Sequence, residues 1–442
     1  MNDIIQEPRH TCALGAHQTV IAIERAIPIL HAGPGCGSKL YRGMSQAGGY
    51  QGAGYAGSDA VPSSNLIEKD VVFGGADRLH NLIEGALKVM DGDFFVVLTS
   101  CTSEIIGDDV ANVVGNFRNR GVPIVYAETA GFKGDSYKGH ELILEAIIEQ
   151  HLKPSDTKEK GLVNVFASVP RHDPFWEGDL NELKKLLSYL GLKANILFGY
   201  NSGGIKAFEE IPKAEFNLLV SPHIGLNTVK LLEEKFGTPY LHYPALPIGG
   251  VETSKFLRTV GEYAGLDKSV VEDVIQKKED EFYHYLLRSV DLLTEFQINL
   301  PKKFYSIIDS NYALGIAKFL VNDMGFFPLG QYITEDVPEE HRETIEGYFK
   351  DLAPGISARV VFSQDGGVIN EDILNSPRED NPLILGSSWE VDLAREIGGF
   401  LVSVGLPVID RLILHKTFVG YRGGLNLVED IYSKALSRQR EY

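Results

Sequence analysis

Cysteine is scarce in this chain, with three residues in 442, and tryptophan is scarcer, with two. So few thiols exclude a disulfide-stapled scaffold. Basic residues are also in deficit: 42 Lys+Arg stand against 60 Asp+Glu, a formal net charge of −18. That balance argues against nucleic-acid or anionic-membrane partners, both of which reward a basic face. No apolar run approaches the roughly 18 residues that cross a bilayer. The opening Met1-Asn2-Asp3-Ile4-Ile5-Gln6-Glu7-Pro8 lacks the basic and apolar regions of a signal peptide, so a reducing cytoplasm with thiols rather than disulfides is expected. A P-loop and a complete dinucleotide fingerprint are both missing, so ATP is not expected to bind this chain itself. Gly33-Pro34-Gly35-Cys36-Gly37 has the look of a phosphate turn, but its proline removes an amide donor that such a turn needs.

Short apolar runs ending in Gly, Ser or Pro, each followed by a helical period, predict alternating β and α units around parallel sheets. The runs fall into three blocks. The first holds Ile27–His31, Phe94–Thr99 and Pro123–Ala127, and ends at a polar linker over 153–161. The second holds Val163–Ala167, Asn195–Phe198 and Asn217–Val220, with a long helix over about 269–299. The third holds Phe304–Ile308, Ala358–Phe362, Pro382–Leu385 and Pro407–Ile409, and closes with a helix over 424–438. The expectation is an α/β fold of three Rossmann-like domains with mostly parallel sheets, spanning 1–160, 161–300 and 301–442. A glycine-dense run, Gly43–Gly57, predicts a long irregular loop.

All three cysteines, Cys12, Cys36 and Cys101, lie in the first quarter of the chain. Cys36 follows a predicted strand in a glycine-rich turn where something bulky can approach the backbone. Cys101 follows Phe94–Thr99, at the carboxyl edge where parallel sheets place ligands. Cys12 precedes Leu14-Gly15-Ala16 at the start of the fold, and helix N-terminal placement favours thiolate at each position. These thiols can equally be buried cysteines acting as small hydrophobes. A zinc site would need a fourth ligand such as His10, His17 or His31, and the close cysteine spacing of structural zinc sites is missing. An iron–sulfur cluster normally takes four thiolates, so three here would require ligands from another chain.

The motifs around these cysteines resemble those of nitrogenase component 1, specifically its β-type subunit. Cys12-Ala13-Leu14-Gly15-Ala16, the stretch Ile27–Cys36 and the stretch Thr99–Asp109 are similar to three successive P-cluster cysteine motifs. Glu68–Gly75 resembles the family's acidic-then-VFGG segment, and Gly405–His415 its β-type G-x-P-x-x-D-R-x-x-L-H segment. The resemblance covers almost the whole chain and implies the nitrogenase component 1 fold. It further implies that Cys12, Cys36 and Cys101 ligate an [8Fe-7S] P-cluster shared with an α-type subunit, in an α2β2 assembly. The active-site iron–sulfur cofactor would sit on that partner, and Phe73 would lie where an ATP-hydrolysing iron protein docks. Two departures stand out. Gly131 occupies the position where molybdenum nitrogenase has a Ser able to bind the oxidised cluster, and the loop Tyr41–Tyr55 is unlike that of dinitrogen-reducing β-type chains. The chain is also shorter than the molybdenum type, with little ahead of Cys12. These departures suggest a nitrogenase-like reductase resembling the methylthio-alkane reductases. A dinitrogen-reducing nitrogenase subunit and a cofactor-assembly scaffold are the alternatives.

Other residues carry plainer expectations. Glu104, Asp108 and Asp109 read as helix-capping acids rather than proton-relay groups. His31 and His415 read as satisfied buried histidines rather than donors to sulfur. Without the resemblance, Phe73 before Gly74-Gly75 would be a core residue.

Overall fold

The computed structural model describes residues 4–40, 47–51, 61–295 and 300–438. Most of the expected loop Gly43–Gly57 lies outside the described residues. Three all-parallel sheets follow one another along the chain. The first, in the order β1-β2-β3, is built from β1 (Ala26–His31), β2 (Phe94–Thr99) and β3 (Ile124–Ala127). The second, ordered β5-β4-β6-β7, uses β4 (Glu159–Phe166), β5 (Lys193–Asn195), β6 (Ala214–Val220) and β7 (Tyr240–Tyr243). The third, ordered β10-β9-β8-β11-β12, uses β8 (Lys303–Ile308), β9 (Phe327–Ile333), β10 (Arg359–Phe362), β11 (Leu383–Gly386) and β12 (Phe400–Ser403).

The strands form because both faces of each sheet are covered, which rewards continuous apolar runs. In β2, Phe94, Val96 and Leu98 enter a large core that also includes Val163 of β4 and Phe304 of β8. Phe95 and Val97 point the other way, into a second cluster with Leu79, Ile83, Val114 and Phe117. The two-residue side-chain period thus divides one run between two cores. Burying one such Phe or Leu side chain contributes roughly 1.5–3 kcal/mol.

Several expected elements lie elsewhere. The run Asn195–Phe198 is not a strand; β5 ends at Asn195, and Ile196-Leu197-Phe198 are buried in a loop. Pro407–Ile409 is likewise not a strand, and β12 at Phe400–Ser403 takes the sheet edge. A buried apolar triplet reads alike in strand and loop, because burial alone does not require a hydrogen-bonding partner strand. Strands β7 and β9 were hidden, β7 by a half-buried polar pattern and β9 by Pro328 and Gly330 within its run. The polar stretch 153–161 runs into β4 at Glu159. The helix expected over 269–299 is Lys268–Leu286, continued by a 3₁₀ turn and a short helix to Glu295. The closing helix, Gly420–Arg438, packs against helix Gly249–Tyr263. Gly424 permits that approach, since a Cβ there would stand 2.7 Å from Gly249 Cα. No helix among the described residues is long and apolar enough to cross a membrane.

Candidate functional site

The first sheet positions two of the three cysteines. Strands β1 and β2 pair in parallel with His31 opposite Thr99, so the chain leaves both at the same carboxyl edge. After β1, Gly33 leads into helix Pro34–Leu40, which carries Cys36, half-buried against the core. After the central strand β2, Ser100 caps helix Cys101–Ile106, its side chain accepting from the Ser103 amide while Ser103 Oγ accepts from the Ser100 amide at 2.8 Å. This reciprocal cap holds Cys101 at the first helical position, with its thiol exposed.

Cys12 arrives from the opposite direction. It precedes the buried 3₁₀ turn Ala13–Ala16 and pairs with Asp135 in an isolated antiparallel bridge. Ala13 N–H donates to Gly134 O at 3.0 Å and Ser136 N–H to Thr11 O at 2.9 Å. Gly139, on helix Ser136–Gln150, makes this seat possible: a Cβ there would stand 2.1 Å from Ala13 O. The Cys12 thiol is also exposed.

Gly131 joins the two exposed thiols. A Cβ on this residue would lie 3.2 Å from Cys101 Sγ and 3.5 Å from Cys12 Sγ, and 3.0 Å from Cys12 Cβ. Its own N–H donates to Cys101 Sγ at 3.1 Å. Two sulfurs therefore share one glycine face, with a backbone donor aimed at one of them. The loop carrying Gly131 is held by Glu104, which accepts hydrogen bonds from Ala130 N–H at 3.0 Å and from the Thr99 hydroxyl, and pairs with Lys133 at 2.9 Å. Glu104 is thus an anchor for the loop beside the thiols rather than a simple cap.

Asp108 also differs from expectation, whereas His31 is the satisfied buried histidine expected. Asp109 is the capping acid, accepting from Asn112 N–H at 3.0 Å. The Asp108 side chain is buried and faces His31, whose Nε2 lies 2.8 Å from Asp108 Oδ2, while His31 Nδ1 meets Ser64 Oγ at 3.1 Å. Burial pushes the His31 pKa below the usual imidazole range, against the opposing pull of Asp108. Asp108 Oδ1 accepts from Gly75 N–H at 2.7 Å, and a Cβ on Gly75 would stand 2.8 Å from Asp108 Oδ2. That close approach moors the helix Glu68–Phe73, which touches the Cys101 helix. Phe73 itself is 80% exposed, so it is not a core residue, and Val72 beside it is 72% exposed. His415 is exposed, which overturns its reading as a buried histidine.

Among the described residues, no three Cys, His, Asp or Glu side chains gather as a single metal ion requires. The candidate zinc histidines are engaged elsewhere: His10 with Thr334 at 3.4 Å, His17 with Gln18 at 2.9 Å, and His31 as above. Soft thiol donors spread over neighbouring loops and open to the surface suit a multi-iron cluster completed from outside the chain. A buried packing role fits poorly with two exposed thiols.

Comparison with known proteins decides the family. The sequence matches the family described as nitrogenase component 1 type oxidoreductase over residues 11–436. The chain belongs to that family. Among the relatives of this component 1 chain is the nitrogenase molybdenum-iron protein beta chain of Methanococcus maripaludis, 26% identical, with 98% of this chain and 95% of that one covered. Another is a chain of the light-independent protochlorophyllide reductase of Angiopteris evecta, 23% identical over 84% of this chain and 73% of that one. The solved structure of nitrogenase Cp1 at pH 6.5 superposes with a TM-score of 0.80 at 20% identity, covering 99% of this chain and 94% of its own. The expected kinship with β-type chains and the component 1 fold are both met.

Sequence reasoning reached the cysteines but missed the residues that hold them. Gly75 and Gly139 were legible only as glycines; what each one admits, a carboxylate or a carbonyl, appears only when distant segments meet.

Proposed function

We propose that this chain is the β-type subunit of a nitrogenase-like component 1 reductase in which Cys12, Cys36 and Cys101 each ligate iron. Together they supply half the thiolates of an [8Fe-7S] P-cluster-type centre shared with an α-type subunit in an α2β2 assembly. The observation that carries this reading is the pair of exposed thiols on either side of Gly131. When bound, such a cluster supplies one-electron storage and relay. The chain's own residues shape that task. The Gly131 N–H stabilises negative charge on Cys101 Sγ, which tunes a centre held there. The Glu104–Lys133 anchor keeps this donor in place. The exposed face of Val71, Val72 and Phe73 suits docking of a separate iron protein that hydrolyses ATP in the cytoplasm. All three cysteines being committed, the substrate-reducing cofactor belongs to the partner subunit. The departures at Gly131 and in the Tyr41–Tyr55 loop favour an organic thioether, of the methylthio-alkane kind, over dinitrogen as substrate.

The test is iron and sulfide analysis with EPR on the anaerobically purified complex, alongside turnover on a methylthio-alkane, acetylene and dinitrogen. Cluster iron with thioether reduction supports the reading. Dinitrogen reduction would reassign the substrate, transfer of a cluster to an apo-acceptor without multiple turnover would mark a scaffold, and an iron-free complex would overturn the ligand assignment.

A further inference from the structure

The three cysteines stand on unequal supports. Cys36 and Cys101 follow strands of the first sheet, whereas the segment leading to Cys12 is sewn to the third. Gly366 N–H donates to Gln6 O at 2.9 Å, and Asn370 Nδ2 donates to Glu7 Oε2 at 3.3 Å. Gly366 leaves no room for a side chain, since a Cβ there would stand 2.8 Å from Glu7 Cβ. Arg9 then inserts its guanidinium at the turn after β11 and pairs with Glu390, the two side chains being 1% and 0% exposed. Glu390 sits in the turn after β11 and also accepts from Ser387 N–H at 2.6 Å and Ser387 Oγ at 2.9 Å, so its position is fixed from its own side. Three residues beyond Arg9 the chain reaches Cys12, having met Thr334, after β9, through His10.

We propose that Arg9 and Glu390 are positioning residues for Cys12: their buried ion pair holds the segment Gln6–Cys12 against the third sheet and thereby sets where the Cys12 thiol emerges beside Gly131. The proposal rests on the reading of Cys12 as an iron ligand, but the positioning itself is a property of the chain. A buried ion pair suits this task because removing one partner leaves the other charged, dry and uncompensated, so the closed arrangement is strongly preferred over any slipped one. Apolar packing alone would specify the register of so short a segment less sharply. The consequence is that the third sheet, which contributes no cysteine, controls the geometry of one of the three.

The experiment compares the purified complex carrying the parent chain with complexes carrying Arg9→Met, Glu390→Gln, Arg9→Lys and the double Arg9→Met/Glu390→Met. Two readouts are taken: amide hydrogen exchange and the EPR spectrum of the cluster. In Arg9→Met and Glu390→Gln, exchange at Gly366, Ala13 and Ser136, whose amides bind this segment or its seat, should rise at least about tenfold while β2 amides stay at the parent rate. The cluster spectrum should change in the same variants. The double variant removes the uncompensated charge but also the pair itself and the acceptor of Ser387 N–H and Ser387 Oγ, so its exchange should stay above the parent rate. Arg9→Lys keeps the charge without the planar fork, should show a smaller rise, and supplies the measurement where Arg9→Met does not fold. Faster exchange at Gly366 with Ala13, Ser136 and the spectrum unmoved would overturn the proposal, as would a double variant that exchanges at the parent rate, since the pair would then be dispensable. If the exchange pattern appears in a complex that holds no cluster iron, the positioning of Cys12 stands and its reading as an iron ligand falls.

Discussion

Cys101 and Cys12 show their thiols at the same glycine, yet they are held by opposite strategies. Cys101 is local: a buried central strand, a capped helix start and a loop anchored by Glu104 place it within one sheet. Cys12 is tertiary: its neighbours in sequence are bound to Gly134–Ser136 on one side and to residues 365–390 on the other. On the proposed reading, a site completed by a partner subunit takes one ligand from a rigid element and another from a segment spanning two sheets. The difference teaches that thiols facing one glycine need not share one sheet, and that damage far from them should act on them unequally.

The largest effect should come from the thiols themselves. Cys101→Ala and Cys12→Ala should each abolish cluster iron and reductase activity, by metal analysis and turnover; retention of full iron in either would remove that residue from the ligand set. Gly131→Val should crowd both sulfurs at once, since even its Cβ would come within 3.2 Å of Cys101 Sγ. Overpacking of this kind costs about 1–3 kcal/mol, and lowered iron occupancy should accompany it. The caps separate the two supports. Asp135 accepts from Tyr137, Lys138 and Asp336 amides, so Asp135→Ala should cost up to about 2 kcal/mol in denaturant unfolding, against about 1 for Ser100→Ala. An equal loss would show that the link to Asp336 adds nothing.

Acidification should act on the Cys101 side through His31. Because burial lowers its folded pKa, the unfolded chain binds the extra proton as pH falls below about 6.5, and stability is lost in that direction. The parent's stability advantage over His31→Gln should therefore narrow between pH 7 and pH 5; a constant gap would mean that His31 titrates alike folded and unfolded. The smallest stability effect is expected at Phe73, where Phe73→Ala should stay within about 0.5 kcal/mol because the ring is already in water. Its effect should instead be a raised iron-protein concentration for half-maximal turnover.

Much of this was legible in the sequence for physical reasons. Continuous apolar runs such as Phe94–Thr99 and Phe304–Ile308 announce buried parallel strands, because both faces must be covered. Asp109 was legible as a cap, since its partner lies three residues away. Asp108 was not, because its partners His31 and Gly75 come from two other loops. Strands β7 and β9 were lost where polar residues or Pro328 broke the pattern, and Pro407–Ile409 was gained falsely because three apolar neighbours need not form a strand: only Val408 is buried there, and Ile409 is exposed.

By itself the sequence determined the alternation of strand and helix, the parallel sheets, and the presence of three thiols following loop signals, all properties set by neighbours along the chain. Only the tertiary structure decided which thiols face outward together, that Gly131 lies between two of them, and that an arginine three residues before Cys12 is buried against Glu390. Those outcomes depend on closing loops of up to several hundred residues, whose contacts exist only once the three sheets share a common core.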